Sequence, residues 1–237
     1  ADYQIFPSDE GFTWDTLLAR ARQTAFLVPG LTINCFDERG EETIHESFRF
    51  DGGVVDFVDW LATDGPVTDT WHIQGEGTFT ETVQALDPES GHLKAVETER
   101  TCEVDCALRW GIGYEAQLQS FVNIIATPKG GTHVAGFEQA VLKVLRAQVD
   151  KNARKLKVSA KDGRPEKDDV LAGLTAVVTV RFPEPQFEGQ TKEILGTPQI
   201  RSVVARVVGD WLEAKFASSK RDDKQQTSAL LDKVVGE

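Results

Sequence analysis

Hydrophobic and polar residues along the chain follow two periods, one close to 3.6 residues and one of two residues, which predict helices and strands respectively. The helical period predicts helices over residues 12–28 and 51–62, from Thr132 onwards, after Pro198, and over a short stretch at residues 228–235, with one helical turn at 168–174. Alternation and β-branched runs predict strands over residues 31–36, 47–50, 70–86, 94–110, 114–125 and 175–182. Strands that alternate with helices in the second part predict a layered α/β or α+β domain.

Segments rich in Asp, Gly and Pro separate these elements. ATDGP at residues 62–66 breaks both periods, so we predict a first domain of residues 1–64 and a second domain of residues 65–237. DPESG at residues 87–91 predicts a turn between two strands. The Gly-x-Gly of IQGEGTF lacks the third glycine and the strand-to-helix context of a dinucleotide site, and a bulge or turn is predicted there instead.

The overall composition is that of a globular chain. Of 237 residues, 40% are hydrophobic and 27% are charged, which is enough for one large domain or, as we favour, two modest ones. No apolar run approaches the roughly 18 residues of a membrane span, and the start, ADYQIF, has no secretory pattern, so a soluble cytoplasmic protein is expected. Methionine is absent even at position 1, and we therefore expect the sequence to be a piece of a longer protein.

The cysteines and histidines form no pattern typical of a metal or hydrolase site. The three cysteines are an odd number and fit a reducing compartment. Cys102 and Cys106 lack a second ligand pair at zinc-finger distance, and Cys106 shares an alternating face with Leu108, so buried strand cysteines are favoured over zinc. Four histidines are scattered without an HExxH motif: His45, His72, His92 and His133. Because GxSxG and a complete P-loop are also missing, a self-contained hydrolase is disfavoured.

Charge is distributed unevenly along the chain. The net charge of −12 argues against nucleic acid as a partner, and residues 1–101 alone carry −14. Residues 143–167 carry +6, however, at and beyond the end of a predicted helix. This range holds nine bases and three acids, and the cations at the end of the helix and just beyond it are Lys143, Arg146, Lys151, Arg154, Lys155 and Lys157. They suit either a solvated helix end, where cations complement the helix dipole, or a local contact with a phosphate backbone.

The motif GGTHVAGF at residues 130–137 precedes the helix that begins at Thr132. Two glycines before a threonine cap suit an anion site built from free amide groups. They equally suit a tight turn that lets the helix pack close to the sheet, and this second interpretation is favoured.

A second polar motif, QFEGQTKEILGT at residues 186–197, lies between a predicted strand and a predicted helix. It presents Gln190 and Lys192 beside Gly189. A lysine is a compact cation on a long stem and suits a terminal phosphate, and the glycine lets a loop enter a crowded site. In isolation the same pattern is more often a surface lysine.

Four stretches taken together resemble the B subunit of bacterial type IIA DNA topoisomerases, the gyrase B and topoisomerase IV B family. They are FLVPGLTINCFDERG, FRFDGGVVDFVDWL, NIIATPKGGTHVAGFEQAV and DDVLAGLTAVVTVRFPEPQFEGQTK, in order over nearly the whole chain. The resemblance implies an α+β fold, in which residues 1–64 end a GHKL (Bergerat) α/β sandwich. Residues 65–237 then form a transducer domain similar to domain 2 of ribosomal protein S5.

The function implied by the resemblance is ATP-dependent type II topoisomerase activity of a larger subunit. Lys192, with Gln190 beside it, is expected to hold the γ-phosphate of ATP and so to couple ATP binding and hydrolysis to gate closure and DNA strand passage. The family residues for Mg²⁺, adenine and the attacking water have no match and are expected before Ala1, so the piece alone is expected to be inactive, with no catalytic residue. Implied partners are duplex DNA, the DNA-cleaving A-type subunit and a second B subunit, in the cytoplasm at the nucleoid and not at a membrane.

Several alternatives stay open at this stage. FVNIIATPKGGTHVAGFEQA slightly favours topoisomerase IV over gyrase. Glu138 stands where the resemblance implies a basic residue lining a DNA-sized hole. Either the basic stretch from Lys143 compensates, with Lys143, Arg146, Lys151, Arg154 and Lys155 as candidate DNA contacts, or Glu138 makes the hole less attractive to DNA. The rival functions are a GHKL-type mismatch-repair or chaperone ATPase and a non-enzymatic nucleic-acid-binding module.

Overall fold

The structure is a computed structural model that describes residues 13–86, 91–158 and 163–236. The helices are α1 (Trp14–Leu27), α2 (Val54–Leu61), α3 (Thr132–Leu156), α4 (Lys167–Leu171), α5 (Gln199–Ala217) and α6 (Arg221–Gly236). The strands are β1 (Ile33–Asp37), β2 (Ile44–Phe48), β3 (Trp71–Leu86), β4 (Leu93–Trp110), β5 (Gln117–Val122), β6 (Ile125–Ala126) and β7 (Leu174–Arg181). Each predicted helix and strand is present, with shifted ends. None of the helices within the described ranges could span a membrane.

One five-stranded sheet organises most of the chain, in the order β3-β4-β7-β5-β6. β5 runs parallel to β7, and the other neighbours are antiparallel. β7 is central and buried along its length up to Val180, because its β-branched run is covered on both faces. β1 and β2 form a separate two-stranded ribbon against α1.

Helices cover the sheet on both faces, giving three layers. Alternate side chains of β4 and β7, such as Cys106 and Val178, pack with α3, α5 and α6 in the larger core. The intervening side chains, such as Ala107 and Val177, pack with α1 and α2 in a second core. The five apolar positions that predict α3 are all buried: Phe137, Val141, Val144, Leu145 and Val149. Cys102 and Cys106 are buried strand cysteines, and burial raises the pKa of the Cys102 thiol to about 12.

The predicted linker at residues 62–66 lies against the end of the sheet. The Asp64 carboxylate accepts a hydrogen bond from the Gly113 amide at 2.8 Å and lies 3.6 Å from the Arg109 guanidinium. Across this linker, α2 packs on the sheet, with the Phe57 and Phe121 ring centroids 6.0 Å apart. The division into residues 1–64 and 65–237 stays a prediction, and residues on its two sides share one core.

The Gly-x-Gly of β3 is neither a bulge nor a turn, so that prediction is wrong. The pairing of β3 with β4 runs unbroken from Trp71↔Leu108 to Leu86↔Leu93. A Cβ atom on Gly75 would lie 2.8 Å from Val207 of α5, and one on Gly77 2.8 Å from Val203. The two glycines therefore let α5 lie close to the sheet.

Two element ends also differ from the sequence prediction. The strand predicted over residues 114–125 ends at Val122, because Asn123 and Ile124 have φ angles of 47° and 64° that a strand does not accommodate. α6 begins at Arg221, before the apolar stretch that predicts it. The predicted turn at residues 87–91 lies mostly outside the described residues.

β3 and β4 extend beyond the rest of the sheet. β7 pairs with β4 only from Glu103 to Trp110, so residues 79–86 and 93–100 form a two-stranded projection, here called the hairpin arm. The root of this arm lies beside the segment that follows β7.

Candidate functional site

The segment between β7 and α5 forms a short finger, here called the lysine loop and defined as residues 186–196. Two backbone hydrogen bonds close it, from Glu188 to Ile194 at 2.9 Å and from Gly196 to Gln186 at 2.8 Å. The tip, residues 189–192, is exposed. A closed base and an exposed tip are the features of a loop that can reach a ligand outside its own domain.

Lys192 and Gln190 both lie at this tip, and their side chains are exposed. The Lys192 ammonium is 5.9 Å from the Phe187 ring centroid, within the range of a cation–π contact. Among the side chains that the structure describes, no carboxylate forms a salt bridge with it. Lys192 has a φ of 57°, a left-handed conformation that costs a residue with a Cβ about 1–2 kcal/mol. Such strain clusters at functional sites.

The exit side of the lysine loop is fixed by the GGTH motif. The Leu195 amide donates to the Gly130 carbonyl and the Leu195 carbonyl accepts from the Thr132 amide, both at 3.0 Å. Leu195 is fully buried. Gly131 has a φ of 132°, and a Cβ atom there would lie 2.4 Å from the Leu195 backbone. The favoured packing role of the motif is confirmed, but the closest partners are the lysine loop and α5 rather than the sheet.

Glu193, next to Lys192, is engaged elsewhere. Its carboxylate lies 2.7 Å from the Lys129 ammonium and accepts a hydrogen bond from the Thr191 hydroxyl at 3.3 Å. The hydrogen bond from Lys129 holds the pKa of Glu193 below its ordinary value. Because Glu193 is paired with Lys129, it does not pair with the neighbouring Lys192, whose ammonium can bind an anion at the tip.

A buried polar chain lies beneath the GGTH motif. His133 is fully buried, with Nε2 3.1 Å from the Thr127 hydroxyl, which in turn lies 2.8 Å from the Ser120 hydroxyl. Burial lowers the pKa of His133 to about 4. The imidazole is therefore neutral in the folded chain and contributes to packing rather than to a ligand site.

Acid is expected to destabilise the fold through His133. Its pKa is about 4 when folded and about 6.5 when unfolded, so the stability is complete above pH 6.5 and falls as the pH drops towards 4. Between pH 6.5, where the unfolded imidazole is already half protonated, and pH 5 the free energy of unfolding should fall by about 1.6 kcal/mol. Chemical denaturation at both pH values measures this. The variant His133→Leu should show a smaller fall, and an equal fall in both chains would contradict the assignment.

The basic stretch is divided between different surfaces. Lys143 and Arg146 line a shallow groove together with Arg201 of α5, whose guanidinium donates to the Gln139 side chain at 3.0 Å. Lys155 instead donates to Ser228 of α6 at 3.0 Å. Lys151 and Arg154 are exposed on the last turns of α3, and Lys157 follows the helix. Sequence reasoning missed Arg201, because it lies on another helix far along the chain.

Glu138 borders the same groove. Its carboxylate lies 2.7 Å from the Lys167 ammonium of α4. An exposed pair of this kind contributes little to stability, but it partly neutralises the acidic side chain. The groove therefore presents the cations of two helices next to a paired glutamate.

The fold defines the class of protein to which the chain belongs. It resembles the crystal structure of the 43K ATPase domain of Thermus thermophilus gyrase B in complex with an aminocoumarin, with a TM-score of 0.67 and 28% identity over 97% of this chain and 55% of that one. The topoisomerase IV ATP-binding domain of Francisella tularensis has the same fold, with a TM-score of 0.65 and 23% identity over 97% of this chain and 55% of that one. The chain is thus an α+β protein of the GHKL-type ATPase class found in type II topoisomerases.

The sequence comparisons specify the family. A family model described as DNA gyrase B matches residues 53–237, and the chain belongs to this family. It is 34% identical to the DNA gyrase B protein of Treponema pallidum over 99% of this chain and 32% of that protein. It is 36% identical to the DNA gyrase B protein of Campylobacter jejuni over 99% of this chain and 26% of that protein. The chain spans about a third or less of the length of these relatives.

Proposed function

We propose that the chain couples ATP binding and hydrolysis to gate movement and strand passage in an ATP-dependent type II DNA topoisomerase. Residues 1–64 end the ATP-binding domain, and residues 65–237 form the transducer domain. Lys192 contacts the γ-phosphate of ATP, with Gln190 beside it. The Mg²⁺ ligands and the residues that activate water have no counterpart in this chain, so its own contribution is to sense the nucleotide.

The observation that supports this proposal is the lysine loop itself. It holds an exposed ammonium on a strained tip, while both sides of its base are anchored to the domain. A charge-assisted hydrogen bond to phosphate contributes about 1.5–3 kcal/mol, and two protomers of a dimer double that bias. This is enough to shift a two-state equilibrium between open and closed domains by a large factor.

Strand passage by the full-length protein with its DNA-cleaving partner tests the proposed function. We expect decatenation and relaxation that require ATP. Introduction of negative supercoils would identify a gyrase, whereas their absence would identify topoisomerase IV, which stays the prediction from the sequence. Duplex binding without any effect of ATP would overturn the proposal in favour of a non-enzymatic nucleic-acid-binding module.

Duplex DNA is the proposed ligand of the groove between α3 and α5. Lys143, Arg146 and Arg201 lie together there, and clustered cations bind phosphates even on an acidic protein. Lys151, Arg154 and Lys155 stay predicted contacts on the later turns of α3. Assembly with a second copy of the full-length protein and with an A-type subunit, in the cytoplasm at the nucleoid, also stays a prediction of the resemblance.

The salt dependence of duplex binding distinguishes these two groups of cations. Each lost phosphate contact makes the negative slope of log K against log salt shallower by about 0.9. The variant Lys143→Ala/Arg146→Ala of the full-length protein should therefore bind more weakly, with a slope reduced by about 2. Lys151→Ala/Lys155→Ala is the matched control, and a larger reduction in this control would place the DNA on the other surface.

A further inference from the structure

The entry side of the lysine loop is fastened to the root of the hairpin arm. The chain leaves β7 and runs alongside the arm, with the ring of Phe182 edge-on to that of Phe79 at 5.8 Å. Further along, the Gln186 amide donates to the Glu81 carboxylate at 2.8 Å. Glu81 is only 8% exposed. A carboxylate at such a depth is retained only where partners compensate its burial.

Arg100, on the other strand of the arm, completes this contact. Its guanidinium donates to Glu184 at 2.6 Å, and its Nε lies 3.9 Å from the Glu81 carboxylate. Glu184 has a φ of 55°, a second left-handed residue in the same segment. Strained backbone of this kind persists where the surrounding contacts hold it. Arg100 therefore links both acidic side chains and fixes the segment that leads to the lysine loop.

One nitrogen of the Arg100 guanidinium lacks a hydrogen bond. Its Nε is buried and has no hydrogen-bond partner within the described residues. Arg100 is only half-buried, and an ion pair with a separation of 3.9 Å contributes little to stability. Stability alone thus does not explain the charges of Glu81 and Arg100. A role in fixing the direction of the lysine loop does.

We propose that Glu81 and Arg100 are positioning residues for Lys192, a role that rests on the proposed function of the lysine loop. The arm holds one side of the loop base through the hydrogen bond from Gln186 to Glu81, and the GGTH motif holds the other side through backbone pairing. Loss of the contact with Glu81 displaces the tip, while the backbone pairing with the GGTH motif keeps the loop attached. A displacement of about 1 Å at a reacting group can lower a rate by up to about 100-fold.

ATP hydrolysis by the full-length protein tests the positioning role. The variant Glu81→Ala should lower kcat about tenfold and change KM less than twofold, since it disturbs a contact made as the domains close. Glu99→Ala is the matched control, because Glu99 lies on the same arm, is exposed and belongs to the neighbouring strand. It should hydrolyse ATP at the wild-type rate.

A double-mutant cycle with Lys192→Ala separates positioning from general loss of structure. If Glu81 acts through Lys192, Glu81→Ala has no further effect in the Lys192→Ala background. A further tenfold loss there, or normal activity of Glu81→Ala beside a low activity of Lys192→Ala, would overturn the positioning role alone. Normal activity of Lys192→Ala would instead overturn the proposed function.

A milder variant keeps this test valid if alanine at position 81 prevents folding. Glu81→Gln retains an oxygen that accepts from Gln186 and removes only the charge that faces Arg100. We expect about a threefold lower kcat, unchanged thermal unfolding, and again no effect in the Lys192→Ala background. An unchanged kcat would contradict the role of the charge.

Discussion

Lys192→Ala in the full-length protein is expected to lower kcat for ATP hydrolysis by about 10- to 150-fold, which corresponds to about 1.5–3 kcal/mol for one charge-assisted bond to phosphate. The side chain is exposed and its ammonium contacts only the Phe187 ring among the described residues, so its removal should leave the fold intact. Steady-state ATP hydrolysis in the presence of DNA measures the effect. Thermal unfolding should not change.

Two controls make the Lys192 result interpretable. Lys94→Ala removes another exposed lysine, from the hairpin arm, and should hydrolyse ATP normally. Lys192→Arg keeps the charge but replaces a compact ammonium by a planar guanidinium, and should recover only part of the activity. Equal loss in Lys94→Ala and Lys192→Ala would show that the effect is one of net charge and not of the contact.

Gly131→Ala is expected to lower the free energy of unfolding by about 3 kcal/mol or more. Its Cβ would lie 2.4 Å from the Leu195 backbone, and the φ of 132° is open to glycine alone. Neither group can move without breaking the hydrogen bonds that hold the exit side of the lysine loop. Chemical denaturation of the chain measures the loss of stability.

Gly189→Ala provides the matched comparison for Gly131→Ala. Gly189 also has a left-handed φ, 81°, but nothing lies within 4 Å of a Cβ built there. Only backbone strain remains, and we expect a loss of about 1 kcal/mol. If both substitutions destabilised the chain equally, the close packing of the GGTH motif against the loop would not be the cause.

Local patterns were sufficient to predict most of the secondary structure. The period of α3 placed Val141, Leu145 and Val149 in the core, because a helix that covers a sheet must be apolar on one side. The β-branched run of β7 predicted a strand covered on both faces, because such a strand is apolar at every position and does not alternate. These features depend on neighbours within a few residues, and a single sequence contains them.

The features that sequence reasoning missed depend on partners distant in the chain. Gly75 and Gly77 have the spacing of a turn, but their meaning comes from Val203 and Val207 on α5. The glycines of the GGTH motif are needed because the chain packs against Leu195, which lies in the lysine loop, beyond α3, α4 and β7. Likewise, the contact of Glu81 with Gln186 joins two segments that no periodicity relates.

The recognisable motifs located the site, whereas the structure supplied its supports. Gln190 and Lys192 could be singled out because QTK follows a strand and carries a family resemblance. The anchoring of the loop by Lys129, Glu81 and Arg100 could not, since charged residues at scattered positions are usually solvated. The burial of Glu81 and the short distances from Lys129 and Glu81 to the loop distinguish them.

A structure of the full-length dimer with a non-hydrolysable ATP analogue is the decisive test of the contact between Lys192 and the γ-phosphate. We expect the Lys192 ammonium within about 2.7–3.2 Å of a γ-phosphate oxygen, with Gln190 adjacent. A nucleotide-bound dimer in which Lys192 faces solvent, or still lies over the Phe187 ring, would contradict it.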